Sequence, residues 1–267
     1  SSPTLTNTPT LTATLSSFGP PLIQMIRTGS SNTATSSVSM VGVSSSALIV
    51  LSITQPDDIA FPNATVSSVP SLTWTKQVDS EAASSGNAEI WTAIHTSGGN
   101  LSVTASWGVN RISFASYAIT NYNQTSYIGT KASASLQTAP SVSFSSSANN
   151  SLIIGASSDW AAVDGASRVY RNAPTESLYV FGSGIYTAYH YRKYLYTATT
   201  ETFGLSSPTG QAAGTVLLEI KGQDSSTPTP TPTLTASPTL TATPTLTPTR
   251  TASPTLTSTA VQPTNTP

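Results

Sequence analysis

Residues able to do chemistry are few in this chain. There are two histidines, His95 and His190, no cysteine, ten Lys and Arg, and eleven Asp and Glu in 267 residues. A catalytic serine needs a base held against it and commonly a sharp Gly-x-Ser-x-Gly turn, for which Gly182-Ser-Gly184 is too short. Serine occurs 45 times, so a Ser near a His says little, and both histidines read as strand or surface residues. A β-rich glycosidase would need two carboxyls flanking its bond. The acids Asp57, Asp58, Asp159, Asp164, Glu176, Glu201 and Glu219 form no alternating run on one strand. Glu89, just before Ile90-Trp91, is the most suggestive acid and reads as an edge or cap residue. Asp57-Asp58, flanked by proline, could help hold a Ca²⁺ but reads as a solvated turn. The expectation is a protein that is not an enzyme and has no cofactor and no metal site.

Two other residue groups invite contact with a partner. Tyr186, Tyr189, Tyr191, Tyr194 and Tyr196 crowd one segment, with Arg192-Lys193 among them. On a strand, Tyr189 and Tyr191 share a face, as do Tyr194 and Tyr196. Exposed rings of this kind would stack on sugars or on a neighbouring subunit; cross-strand pairing within the sheet is the other reading. These five tyrosines are the expected contact surface, whereas Trp74, Trp91, Trp107 and Trp160 are expected in the core.

Hydroxyls are the second group: 45 Ser and 45 Thr make up about one third of the chain. Between residues 227 and 267 there are 17 Thr and 9 Pro, with Arg250 the only charge. Pro3 to Leu15 is similar material. Such segments favour extended polyproline II and commonly accept O-linked sugars. The expected acceptors are Thr229, Thr231, Thr233, Thr235, Thr239, Thr241, Thr243, Thr245, Thr247, Thr249, Thr251, Thr255 and Thr257. Asn63, Asn100, Asn123 and Asn149 match Asn-x-Ser/Thr, a pattern that a Ser- and Thr-rich chain also produces by chance.

The elements that position these residues have period two. Ala47–Thr54, Ser71–Val78, Glu89–Ile94, Asn100–Trp107 and Arg111–Ile119 read as strands, with Gly98-Gly99 as a hairpin turn. Ser141–Ser145, Ser151–Ala156, Arg168–Arg171, Leu178–Phe181, Tyr186–Tyr196, Thr199–Gly204 and Thr215–Ile220 follow. Ser37-Val-Ser-Met aligns with Ser141-Val-Ser-Phe, and Leu48-Ile-Val with Leu152-Ile-Ile, both 104 residues apart. The fold class is therefore all-β: a two-sheet antiparallel β-sandwich, jelly-roll-like and internally duplicated, whose similar halves close into one sandwich. Its core is expected from Leu48, Ile49, Val50, Trp91, Val103, Phe114, Leu152, Ile154, Val216 and Leu218. The domain reading is a linker over 1–15, a sandwich over 16–224 and a stalk over 225–267.

Composition restricts function. Only 8% of residues are charged and the net charge is −1, so the basic face of a nucleic-acid binder is missing. No apolar run approaches the roughly 18 residues of a membrane span. A surface wetted by hydroxyls fits a secreted or cell-surface protein. The start at Ser1 reads as a mature or excised segment of a precursor.

The order Leu48-Ile-Val-Leu, Leu72-Thr-Trp-Thr, Ala88-Glu-Ile-Trp-Thr-Ala, Gly98-Gly-Asn-Leu-Ser-Val-Thr, Ile112-Ser-Phe-Ala-Ser-Tyr and Ala213-Gly-Thr-Val-Leu-Leu-Glu-Ile resembles jelly-roll-like β-sandwich modules. Such modules occur in prokaryotic secreted, cell-surface and phage-appendage proteins, here flanked by Thr/Pro-rich linkers. The resemblance covers about Val38 to Lys221 and implies a structural or adhesive module without catalytic residues. The leading expectation is a subunit of an extracellular, O-glycosylated filament. Its partners would be further copies of itself and its own glycans. It would join head to tail through its terminal segments or the strand Leu22–Ile26. A carbohydrate-binding or adhesion module on a glycosylated spacer, with surface polysaccharide as its partner, is the alternative.

Overall fold

The computed structural model describes residues 19–55, 64–82, 84–108, 111–182 and 186–223. All of them belong to the compact unit formed by residues 1–226. They contain sixteen strands and no helix.

The first half holds β1 (Leu22–Ser31), β2 (Thr35–Val43), β3 (Ala47–Gln55), β4 (Thr65–Val69), β5 (Thr75–Ser80), β6 (Asn87–His95), β7 (Gly99–Ser106) and β8 (Ile112–Thr120). The second holds β9 (Ile128–Gln137), β10 (Ser141–Ser145), β11 (Ser151–Asp159), β12 (Val169–Tyr170), β13 (Thr175–Gly182), β14 (Tyr186–Leu195), β15 (Thr200–Ser207) and β16 (Ala213–Lys221). Each half makes one five-stranded and one three-stranded sheet, all antiparallel. The orders are β1-β8-β3-β6-β5 with β2-β7-β4, and β9-β16-β11-β14-β13 with β10-β15-β12. The two orders correspond strand for strand, so the internal repeat extends through the whole body.

The all-β sandwich and its duplication match the sequence reading. The way the halves join does not. They do not merge into one pair of sheets: each half is a sandwich of its own, and the two five-stranded sheets pack against each other. Leu48, Val50, Tyr117 and Ile119 meet Leu152, Ile154, Leu218 and Ile220 in that middle layer. Ile49, Leu51, Val103 and Phe114 fill the first half's own sandwich, and Ile153, Leu217, Phe144 and Phe203 fill the second's. β3 and β11 are therefore covered on both faces, and every residue of each is buried. This explains the continuous run Ala-Leu-Ile-Val-Leu, where a half-exposed strand would alternate. Nine of the ten expected core residues are fully buried, and Trp91 is half-buried against the same core. Trp107 is buried as well, but Trp160 is 36% exposed, contrary to expectation.

Three further differences concern connections. Gly98 and Gly99 adopt the positive φ of a tight turn, at 68° and 96°. The turn carries the chain from one sheet to another, because β6 and β7 lie in different sheets. The segment Ser71–Val78 forms a strand only from Thr75 onward. Leu22–Ile26, expected to run along a neighbouring subunit, pairs with β8 of its own sheet from Leu22↔Thr120 onward. Finally, Gly19 and Gln223 form an antiparallel bridge, so the described body begins and ends at one place.

Candidate functional site

Because β3 and β8 are buried on both faces, the polar side chains they carry must find partners inside. Ser52, Thr54 and Ser113 project from the first half into the middle layer, where His190 of β14 meets them. Nδ1 of His190 lies 2.8 Å from Ser52 Oγ, and its Nε2 lies 3.2 Å from Thr54 Oγ1 and 3.1 Å from Ser113 Oγ. Thr54 and Ser113 also hydrogen-bond each other at 2.5 Å. Burial pushes the imidazole pKa down to about 3, so the ring is neutral and one nitrogen donates while the other accepts. A serine and a histidine do meet here, but both are sealed between two sheets. The cluster joins the halves. His95 is also fully buried, at the end of β6, and neither ring nitrogen has a hydrogen-bond partner among the described residues.

Glu89 is the acid with the most displaced protonation. It points from β6 into the first half's sandwich and is fully buried. Trp91 Nε1 donates to its Oε2 at 2.6 Å, and the Ala64 amide donates to Oε1 at 3.3 Å. Lys76 Nζ stands 3.6 Å from Oε1 while also pairing with Asp79 and approaching Glu81 at 3.9 Å. Burial pushes the Glu89 carboxyl up to about 7, and the neighbouring Glu81 adds to this. The indole, the ammonium and the amide pull the other way but lose. Glu89 is therefore a packed, proton-holding acid on an inner strand, between β3 and β5, and not the edge or cap residue expected from the sequence.

Glu219 of β16 is equally buried but behaves in the opposite way. Burial alone would raise it. Ser151 Oγ at 2.6 Å, Ser147 Oγ at 2.7 Å, the Thr130 amide at 2.8 Å and the Ser147 and Ala148 amides hold it below the ordinary carboxylate range. It pins the β10–β11 connection to the sheet. Asp159 does similar work, accepting from the amides of Ala161, Val163 and Ala212. Near the surface, the Arg168 guanidinium pairs with Glu176 and lies 3.9 Å over the Tyr179 ring, and Tyr170 donates to Glu176 at 2.7 Å.

The expected tyrosine contact surface is corrected. Tyr186, Tyr189 and Tyr191 are buried, Tyr194 is half-buried against the middle layer, and only Tyr196 is well exposed, at 67%. For Tyr189 and Tyr191 the reason is that the sheet β10-β15-β12 covers their face of β14, with Phe144, Phe203 and Leu205 in the same core. Tyr191 lies opposite Gly155, where an added Cβ would stand 2.3 Å from the Tyr191 ring. Tyr179 packs on Tyr189 and Tyr170 on Tyr191, with ring centroids 5.5 Å apart in both pairs. The glycine facing the tyrosines was the available signal of a covered face.

Among the asparagines, Asn100 and Asn149 are exposed and Asn123 is half-buried. Their Oδ1 atoms accept from the amides of Gly42, Ala198, and Thr125 with Ser126, respectively. Asn63, Asp57, Asp58 and the threonines from Thr229 to Thr257 lie outside the described residues.

Sequence reasoning passed over the outer face of the first half. On β2, β7 and β4 the inward positions hold Val38, Met40, Leu101, Val103 and Val66. The alternate positions form cross-strand rows: Thr35–Ser106–Thr65, Ser37–Thr104–Ser67 and Ser39–Ser102–Val69. Thr35 with Ser106, and Ser37 with Thr104, hydrogen-bond each other at 2.8 and 2.7 Å. Eight of the nine outward positions carry a hydroxyl and none is charged. Compared with known protein families, with curated proteins and with solved structures, the chain finds no match in any of the three.

Proposed function

We propose that this chain is an extracellular surface module: a rigid β body of structural or adhesive role, carried on an O-glycosylated Thr/Pro-rich spacer. The bridge between Gly19 and Gln223 carries this reading. The two ends of the described body lie side by side there, so a pull applied between those ends bypasses the sandwich core. That suits a body displayed from a spacer better than a link in a head-to-tail chain. A filament joined through Leu22–Ile26 would first have to strip that strand from β8. Assembly through the Thr/Pro-rich segments is the form of the filament reading that this register favours. Glu89 and His190, whose protonation burial displaces, are sealed and serve packing, which supports a non-enzymatic role. The sparse charge and hydroxyl-covered outer sheet support exposure to the extracellular medium.

The natively isolated full chain provides the test. Light scattering should give a monomer, negative-stain images should show no fibres, and the intact mass should exceed the 27.5 kDa of the bare chain. Regular fibres would replace this reading with the filament. A bare mass would remove the O-glycosylated spacer from it.

A further inference from the structure

One corner of the outer hydroxyl sheet departs from what the fold requires. The register of β2 slips between Met40 and Val43, forming a bulge at Gly42, whose φ is 71°. The bulge is fixed from two sides: the Gly42 amide donates to Asn100 Oδ1 at 3.2 Å, and Gln24 Nε2 donates to the Gly42 carbonyl at 3.0 Å. Val41 points outward by simple alternation after the buried Met40 and is 63% exposed, and the bulge at Gly42 then returns Val43 to the inside. Across the sheet, Val69 is 75% exposed. Between them lies a depression of about 310 Å³ that also includes Ser39, Asn100 and Ser102. At the matching corner of the second half there is no bulge: Ser145 and Thr200 face each other and hydrogen-bond at 2.7 Å. Duplication makes the comparison internal. The same strand order closes at that corner without the bulge and with Ser145 where the 104-residue repeat puts Val41, so the exposed Val41 exceeds the needs of packing.

We propose that this corner binds a neutral polysaccharide, with one sugar unit seated between Val41 and Val69 and the chain continuing along the hydroxyl rows. The chemistry matches on three counts. A sugar ring has an apolar C–H face for the valines and a hydroxyl rim for Ser39, Ser102 and Asn100. No residue lining the depression is charged, so an anionic or cationic ligand would lose hydration without a counter-charge. The volume lies at the small end of ligand clefts, roughly 300–1,000 Å³. Beyond the cleft, each paired hydroxyl couple keeps a free donor and spare lone pairs, which offers repeated contacts to a repeating polymer. The site rests on the surface-module reading only for its biological setting.

The test titrates the ¹⁵N-labelled full chain with neutral glucose and mannose hexasaccharides, using galacturonate hexasaccharide as the anionic control. A neutral sugar should shift the amides of Ser39, Val41, Asn100 and Ser102. Val69→Asp should weaken that binding at least about tenfold, with an unchanged circular dichroism spectrum because Val69 faces solvent. The site is wrong if no neutral sugar shifts these amides, if Val69→Asp binds equally well, or if galacturonate binds as tightly. Shifts at Val41 and Val69 that grow with protein concentration alone would assign the corner to a second copy and overturn the proposal. Adhesion to insoluble neutral polysaccharide separates the two levels. Retention of both wild type and Val69→Asp sinks this site and leaves the module reading standing, whereas retention of neither sinks the adhesive role as well.

Discussion

The two halves of the body share one strand order but bury different polar residues in it. Where β6 has Glu89 opposite Ile53, β14 has Tyr189 opposite Ser157. Where β8 has Ala118 opposite Ile49, β16 has Glu219 opposite Ile153. Both glutamates are fully buried, yet one holds its proton to about pH 7 and the other is ionised below the usual range. Burial is common to both, so it does not decide the outcome. The number of donors aimed at the carboxylate does: many around Glu219, few around Glu89, which also faces Glu81. A fully buried glutamate can thus be a structural anion or a neutral acid, depending on the donors the neighbouring loops aim at it.

The strongest way to break this comparison lies in the second half's aromatic core. Tyr191→Ala should destabilise the body by about 3–5 kcal/mol, read from urea unfolding, because it empties the space above Gly155. A loss below about 1 kcal/mol would mean that β14 is not the covered strand described. Next in size, Glu219→Ala strands several amides and hydroxyls at the β10–β11 connection and should remove about 3 kcal/mol or more. The wild-type contribution from Glu219 is fully present above the unfolded carboxylate pKa, near 4.5, and is lost as pH falls through its depressed folded value.

Glu89 should show the opposite slope. Its folded pKa lies above its unfolded value, so the native state holds a proton that the unfolded chain releases between about pH 4.5 and 7. Stability from this group falls as pH rises through that window. Glu89→Gln should flatten the slope and gain on the order of 2–3 kcal/mol at pH 8, with little change at pH 4. Equal effects at both pH values would refute the proton-holding assignment. The smallest effect belongs to Tyr196: Tyr196→Ala should stay within about 0.5 kcal/mol, as expected of an exposed side chain. A larger loss would restore part of the tyrosine segment as a packed or binding surface.

Sequence alone determined the elements that depend on local pattern. Alternation and apolar runs located most of the strands, and the 104-residue repeat revealed the duplication, because each strand's side chains must match its own faces. Tertiary structure decided how many faces each strand buries. The continuous run of β3 is compatible with a central strand in one sandwich or with one shared by two cores, and the difference lies in residues far apart in the chain. For the same reason Tyr189 and Tyr191 read as a surface until the sheet of β10, β15 and β12 covered them. His190 had no visible partner until Ser52, Thr54 and Ser113 arrived from the other half. The outer hydroxyl rows were present in the sequence as ordinary alternation. Only the register of β2, β7 and β4 brought them side by side, because cross-strand neighbours are set by pairing and not by spacing along the chain.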